Sequence, residues 1–170
     1  PDSPVAQDVS GHRLGGAMGS SLRMPGWEGE ALLCMGGGVS VPDEGRFPEL
    51  AALTIECRVK TESAGQDDRW MLNRIFGDSP STGFRLGLQG GKPSFQIPLT
   101  PWSHQMTASE PLPLGRWVHL AATFDGKVMR LYLDGRECGA FERAGKVESN
   151  RSPLVIGNYE VGSKAHFIGW

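Results

Sequence analysis

The chain has 170 residues, among them 24 glycines and 12 prolines, and a formal net charge of −2. That is the size of one domain with a sizeable core, and its glycine and proline content suits many short strands joined by tight turns better than a helical bundle. Near-neutral charge without a basic run excludes an electrostatic nucleic-acid footprint, and no apolar run approaches the ~20 residues of a membrane-spanning helix.

Residues 1–30 are polar and glycine-rich, with strand character only at 17–18 and 21–24. Strands are predicted next at 31–35, 39–41 and 53–60, separated by Gly36-Gly37-Gly38 and by the proline-bounded stretch 42–48. Within 53–60, Leu53, Ile55, Cys57 and Val59 share one face, and Thr54, Glu56, Arg58 and Lys60 share the other. This period of two marks a sheet with one solvated side. Cys34, Cys57 and Cys138 are odd in number and form no C-x-x-C pair, so neither a full disulfide framework nor a zinc site can be read from them. Cys34 and Cys57 read as small buried hydrophobes, and one disulfide among the three stays open.

Residues 63–69 form a polar loop carrying Asp67, Asp68 and Arg69, followed by a strand at 70–76. A hairpin across Gly90-Gly91 joins 83–88 to 93–97. Gly91-Lys92-Pro93-Ser94 superficially resembles a phosphate-binding loop, but Leu86 stands where its first glycine belongs and proline separates lysine from serine, so that reading is rejected. Residues 98–113 read as a long proline-rich connection that exposes Trp102 and His104.

The run from Gly115 to Gly135 reads as a β-hairpin turning at Asp125-Gly126, and Asp134-Gly135 turns the chain again into 136–141, giving a three-stranded meander. With a two-residue loop, Leu120 faces Leu131, Val118 faces Leu133 and His119 faces Tyr132; a four-residue turn shifts the register by two and keeps the same faces. One face is apolar and demands a second sheet. Residues 144–152 are a polar loop containing the glycosylation acceptor Asn150-Arg151-Ser152, and 154–157 reads as a buried strand.

The series Gly115-Arg116-Trp117-Val118-His119-Leu120-Ala121, Thr123-Phe124-Asp125-Gly126 and Leu131-Tyr132-Leu133-Asp134-Gly135 resembles the signature hairpin of laminin-G-like jelly rolls, within the concanavalin A-like lectin/glucanase superfamily. The similarity extends to Asp8-Val9-Ser10-Gly11, Gly29-Glu30-Ala31-Leu32-Leu33, residues 53–60, Leu154-Val155-Ile156-Gly157 and Phe167-Ile168-Gly169, which is most of the chain in family order. It implies an all-β, two-sheet antiparallel jelly-roll sandwich over residues 1–170. It also implies an acidic stretch and a further strand after Trp170, so the chain is read as a piece of a longer protein with its final strand missing or truncated. Asp8 matches a family segment whose aspartate often helps hold calcium. A calcium site gathers six to eight oxygens from several places, so a loop-capping Asx-turn is the preferred reading of Asp8 and calcium the alternative. Cys34 and Met35 stand where many family members carry an aromatic residue and an aspartate.

Scaffold likeness leaves function to the site. The glucanase relatives use strand-borne acids two residues apart, and no Glu-x-Asp-x-Glu cluster occurs here. Glu28 and Glu30, the nearest acidic pair at that spacing, lie in a glycine-flanked turn, and His12, His104, His119 and His166 are scattered. The expectation is therefore a non-catalytic recognition module of an exported, periplasmic or cell-surface protein, attached to other domains. Carbohydrate is the preferred ligand, with Trp70, Trp102, His104 and Tyr159 as ring faces and Asp67, Asp68 and Arg69 as polar contacts. Core packing is the competing reading for Trp70 and Trp117, and a protein partner or a spacer role is the alternative function.

Overall fold

A computed structural model describes residues 5–45, 47–63, 65, 68–75, 82–99, 102–158 and 168–169. Its strands in chain order are β1 (Val5–Ala6), β2 (Gly16–Met18), β3 (Ser21–Pro25), β4 (Glu30–Met35), β5 (Val39–Val41), β6 (Leu53–Val59), β7 (Arg69–Asn73) and β8 (Arg85–Gln89). They continue as β9 (Lys92–Leu99), β10 (Trp102–Thr107), β11 (Val118–Phe124), β12 (Val128–Leu133), β13 (Arg136–Glu142), β14 (Leu154–Ile156) and β15 (Ile168–Gly169). No helix occurs among the described residues. The strands form an eight-stranded sheet, β1-β2-β5-β14-β7-β8-β9-β10, a four-stranded sheet, β13-β12-β11-β6, and a three-stranded sheet, β15-β4-β3. Every pairing is antiparallel.

Alternation along the strands makes the core. Ile55 and Val59 of β6, Leu120 and Ala122 of β11, and Met129 and Leu131 of β12 meet Leu86 and Leu88 of β8 and Phe95 and Ile97 of β9 in one buried cluster. Leu32 and Cys34 of β4 join its margin, so the two smaller sheets lie over the large one as a second layer. This is the all-β sandwich expected from the sequence, and each fully buried leucine side chain contributes about 1.5–3 kcal/mol of burial free energy.

Two of the three glycine turns close as two-residue loops. Gln89 pairs with Lys92 across Gly90 and Gly91, whose φ values are 54° and 77°, and Leu133 pairs with Arg136 across Asp134 and Gly135, at 50° and 78°. Two successive positive φ angles twist with the strands, and this is why such dipeptides turn hairpins. The third differs, since Phe124 pairs with Met129 and Leu120 with Leu133, the register of a four-residue turn. Asp125 Oδ1 accepts the backbone N–H groups of Lys127 and Val128 at 2.9 and 2.8 Å and so stabilises the longer loop. His119 consequently lies beside Asp134 instead of Tyr132: the Asp134 N–H donates to the His119 carbonyl at 2.8 Å.

Residues 98–113 are corrected more substantially. Pro98 belongs to β9, and 102–107 form β10 at the sheet edge, with Trp102 opposite Leu99 and His104 opposite Ile97. β9 runs past its last pair with β8, at Gln96, so Pro98 lies where the strand has one neighbour and a missing N–H is tolerated.

Candidate functional site

A cleft lies between the two sheets of the second layer. Its walls are Ala31, Leu32 and Cys34 from β4 and Cys57, Arg58 and Val59 from β6, its floor includes Met71, Ile156 and Gly157 of the large sheet, and its volume is about 360 Å³. Trp27, Glu28, Glu30 and Trp117 complete the lining. Trp27 is carried by the turn between β3 and β4, where Gly29 has a φ of 68° and the Gly26 N–H donates to the Gly29 carbonyl at 2.8 Å. A residue at the tip of so tight a turn has no neighbouring strand to cover it, and Trp27 is 53% exposed. The Arg58 guanidinium stacks over its ring, 4.7 Å from the centroid. Glu30 pairs with Arg23 at 3.4 Å on the other side of β4. Lone-pair oxygens, a guanidinium and an open indole therefore share one lip, above a floor of apolar atoms.

Burial pushes the two thiols of this cleft well above the ordinary range, Cys34 to about 11 and Cys57 to about 12, the latter with a smaller contribution from the charge of Glu56. Both stay protonated at neutral pH and act as small hydrophobes. All three cysteines are free thiols.

Among the described residues, those expected to bind ligand are not gathered at one place. Trp70 is 2% exposed, with the Arg85 guanidinium 3.9 Å above its ring, and it sits opposite Gly87, where the absent side chain makes room for the indole. The Arg85 Nε in turn donates to Gln96 Oε1, and Gln105 Nε2 donates to Ser94 Oγ at 2.9 Å, forming a polar ladder across the outer face of the large sheet. Trp70 is thus packed and offers no ring face to a ligand. Arg69 donates from Nη1 to the Ser63 carbonyl at 2.8 Å, next to half-buried Asp68. Arg69 lies across from Leu88 and, one strand further, Pro93, whereas Trp102 lies across from Leu99. Six residues of β9 separate those positions, about 20 Å along the strand. Trp102 and His104 stand within a strand and not on a loop. Asp67 and Tyr159 lie outside the described residues.

Asp8 makes the Asx-type turn. Its Oδ1 accepts the Ser10 N–H and its Oδ2 the Leu14 N–H, each at 2.8 Å. The Ser10 hydroxyl first, then these two N–H groups, hold the carboxyl at about 2. Among the described residues no group of three His, Cys, Asp or Glu side chains is placed to hold a metal ion. Asn150 is also committed. Its Nδ2 donates to the Arg74 carbonyl at 2.8 Å and to Thr82 at 3.2 Å, bonds that an attached glycan would break.

Trp27 escaped the sequence reading because the stretch around it looks like a polar connector. The usable signal was an aromatic held between glycines at a hairpin tip.

The family model described as the concanavalin A-like lectin/glucanases superfamily, Laminin G type, matches residues 35–169. No characterised protein matches the chain in a search of curated sequences. Domain 4 of AbnA, an extracellular GH43 arabinanase of Geobacillus stearothermophilus solved with arabinotriose, superposes with a TM-score of 0.68 at 19% identity, over 89% of this chain and 71% of that one. The binding domain of Paraclostridial Mosquitocidal Protein 1 gives 0.74 at 14% identity over 99% of this chain and 45% of that one. Mouse laminin α1 domains LG4-5 give 0.55 at 21% identity over 71% of this chain and 33% of that one. The chain thus spans less than half of the latter two.

Proposed function

Since the chain belongs to the laminin-G-like group of the concanavalin A-like lectin/glucanases superfamily, we propose that it is a non-catalytic recognition module of an exported protein and that its ligand is carbohydrate. The observation that carries this reading is Trp27, an exposed indole backed by Arg58 and flanked by Glu28 and Glu30. A pyranose or furanose ring stacks its C–H face on an indole and directs its hydroxyls to neighbouring charged groups, and this lip supplies both. Resemblance to an arabinanase domain solved with arabinotriose and to a toxin's binding domain supports recognition as the role. The two carboxylates of the lining, Glu28 and Glu30, both come from the β3–β4 side, and the facing wall of Cys57, Arg58, Val59 and Trp117 adds none; this supports a non-catalytic reading, because glycoside hydrolysis commonly uses two carboxyls held on either side of the scissile bond.

A second reading has its own observation. Leu22 and Met24 of β3 and Met35 of β4 are 59%, 37% and 64% exposed, and their register places them with Leu33 on the outward side of the small sheet. An apolar face of this kind favours a protein partner.

A glycan array probed with and without calcium separates the two. Binding that Trp27→Ala reduces at least tenfold, with the fold retained, supports the lectin reading; a silent array from the folded protein moves the function to protein recognition. Trp102→Ala, His104→Ala and Arg69→Ala on the same array test the remaining expected contacts, and loss of signal in chelator tests calcium.

A further inference from the structure

The hollow above the large sheet does not stop at the cleft beneath Trp27. A second cleft of about 270 Å³ adjoins it, between Arg23, Glu30 and Leu32 of the small sheet and Met18, Val39 and Ile156 of the large one. It shares Glu30, Leu32 and Ile156 with the first. A third, of about 250 Å³, shares Val39 and Ile156 with the second and reaches Val41 and Phe47. Ladder register explains this continuity. Met18 pairs with Val39, Val39 with Ile156 and Ile156 with Leu72, so four apolar side chains stand in one row on the inner side of β2, β5, β14 and β7. The row crosses three strand spacings, about 14 Å. Ile156 stands within it and is 37% exposed, whereas Val155, on the other side of the same strand, is 2% exposed. Apolar atoms left wet between two layers are surface that a ligand of matching shape takes out of water.

Polar groups keep to the rims. Arg23 pairs with Glu30 at 3.4 Å, and its Nη2 donates to the Val5 carbonyl at 3.2 Å, so both charges are engaged against β1. At the lip, Arg58 stacks on Trp27 and Glu28 lies on the side of the β3–β4 turn. The first two clefts are thus lined by two guanidiniums and two carboxylates, and Asp8, at the third, is capped by the N–H groups of its own loop. With the charges of the lip balanced, a head of either sign gains little, whereas a neutral head rich in hydroxyls finds donors and acceptors together. We infer that the ligand is an amphiphilic glycoside whose sugar stacks on Trp27 and whose unbranched alkyl chain runs over Ile156 and Val39 to Met18. This rests on the carbohydrate reading and narrows it. A free oligosaccharide reaching into the cleft brings hydroxyls over Met71, Ile156 and Gly157, a floor with no polar side chain to receive them; an alkyl chain asks for none.

Calorimetric titration of the folded protein with octyl, decyl and dodecyl β-glucosides, each below its micelle concentration, tests this. Every buried methylene tightens binding about two- to fourfold, so the dodecyl glucoside is expected to bind at least tenfold more tightly than the octyl. Dodecyl dimethylamine oxide, a neutral amphiphile of the same chain without a sugar, binds at least fivefold more weakly than dodecyl glucoside, and Trp27→Ala removes that difference. Ile156→Gln places an amide in the floor and flattens the chain-length series while leaving free glycans on the array unaffected; Leu32→Gln does the same from the small sheet if the first variant does not fold. Affinities independent of chain length, or no binding by any glucoside, overturn the inference, and glycan-array signals that persist in that case keep the carbohydrate reading. A series that steepens equally for glucosides and amine oxides and ignores Trp27→Ala overturns the sugar head, and the carbohydrate reading with it. Binding that vanishes as the protein is concentrated into a sedimenting dimer also overturns the inference, since a second copy then fills the hollow.

Discussion

Asp125 shows how one side chain sets the register of the central hairpin. Its Oδ2 accepts from Arg130 Nη1 at 2.8 Å while its Oδ1 gathers two backbone N–H groups. The bond from Arg130 first, then those from Val128 and Lys127, lower its carboxyl from 3.8 to about 2. In the unfolded chain it titrates near 4. Between those values the unfolded state binds more protons, so stability is fully present above about pH 4 and is lost as pH falls toward 2. Asp125→Asn keeps an oxygen for the N–H groups and gives up the charge-assisted bond. The wild type is expected to melt higher than the variant at pH 7, with the gap closing as the pH approaches 2. Paired melting curves check this, and subtracting them removes the similar contribution of Asp8, also held near 2. Asp125-Gly126 alone fits a two-residue turn as well as a four-residue one. The choice depends on an arginine five residues on, a partner that dipeptide rules do not include, whereas Gly90-Gly91 has no such competitor and turned as its composition says.

Strands carrying a clean alternation were legible, and β6, β11 and β12 lie where their apolar parity put them. β10 was hidden by the prolines on either side of it, Pro98, Pro101, Pro111 and Pro113, and by its own polar residues, because an edge strand with a ladder such as Gln105 to Ser94 satisfies polar groups that otherwise signal a loop. Contacts between elements were less legible, and Arg74 is the clearest case. At the end of β7 it is 1% exposed, pairs with Asp43 Oδ2 at 3.3 Å, and lies 4.6 Å from the centroid of Phe47, while its Nη2 donates to the Asn150 carbonyl. It thus ties β7 to the connection after β5 and to the loop before β14. Arg74→Met keeps much of the volume but leaves the Asp43 carboxylate, 7% exposed, without its cation. Removing one partner of a buried pair costs about 3–5 kcal/mol, and neutralising both recovers part of that. Urea titration should therefore give Arg74→Met the lowest midpoint and the Arg74→Met/Asp43→Asn double variant a higher one. Equal midpoints for the double and the single variant would show that the loss comes from packing against Phe47 alone.

At the scale of the molecule the two halves of the second layer differ in how firmly they are held. Leu120, Ala122, Met129 and Leu131 of the meander are all 0% exposed, and so are Phe95 and Ile97 beneath them. In β4 the one buried residue is Cys34, and in β3 there is none, while Leu22, Met24 and Met35 face water. The sequence could not show this difference, because β3 and β4 have ordinary strand composition and, among the described residues, no ladder joins β4 to β6, two strands separated by the whole of β5 and its connections. Opening β3 and β4 exposes little that is not already wet, whereas opening β11 and β12 uncovers the centre of the core. Native-state hydrogen exchange should accordingly rank amide protection lowest in β3 and β4, intermediate in β6, which among the described residues pairs on one side, and highest in β11, β12 and β9, where it approaches the global unfolding free energy. Urea added below the unfolding midpoint should speed exchange in the last group strongly and in the first group weakly, because the denaturant slope follows the surface newly exposed. Equal slopes in both groups would mean that the sandwich opens as one unit and that the interrupted layer is as firmly seated as the continuous one.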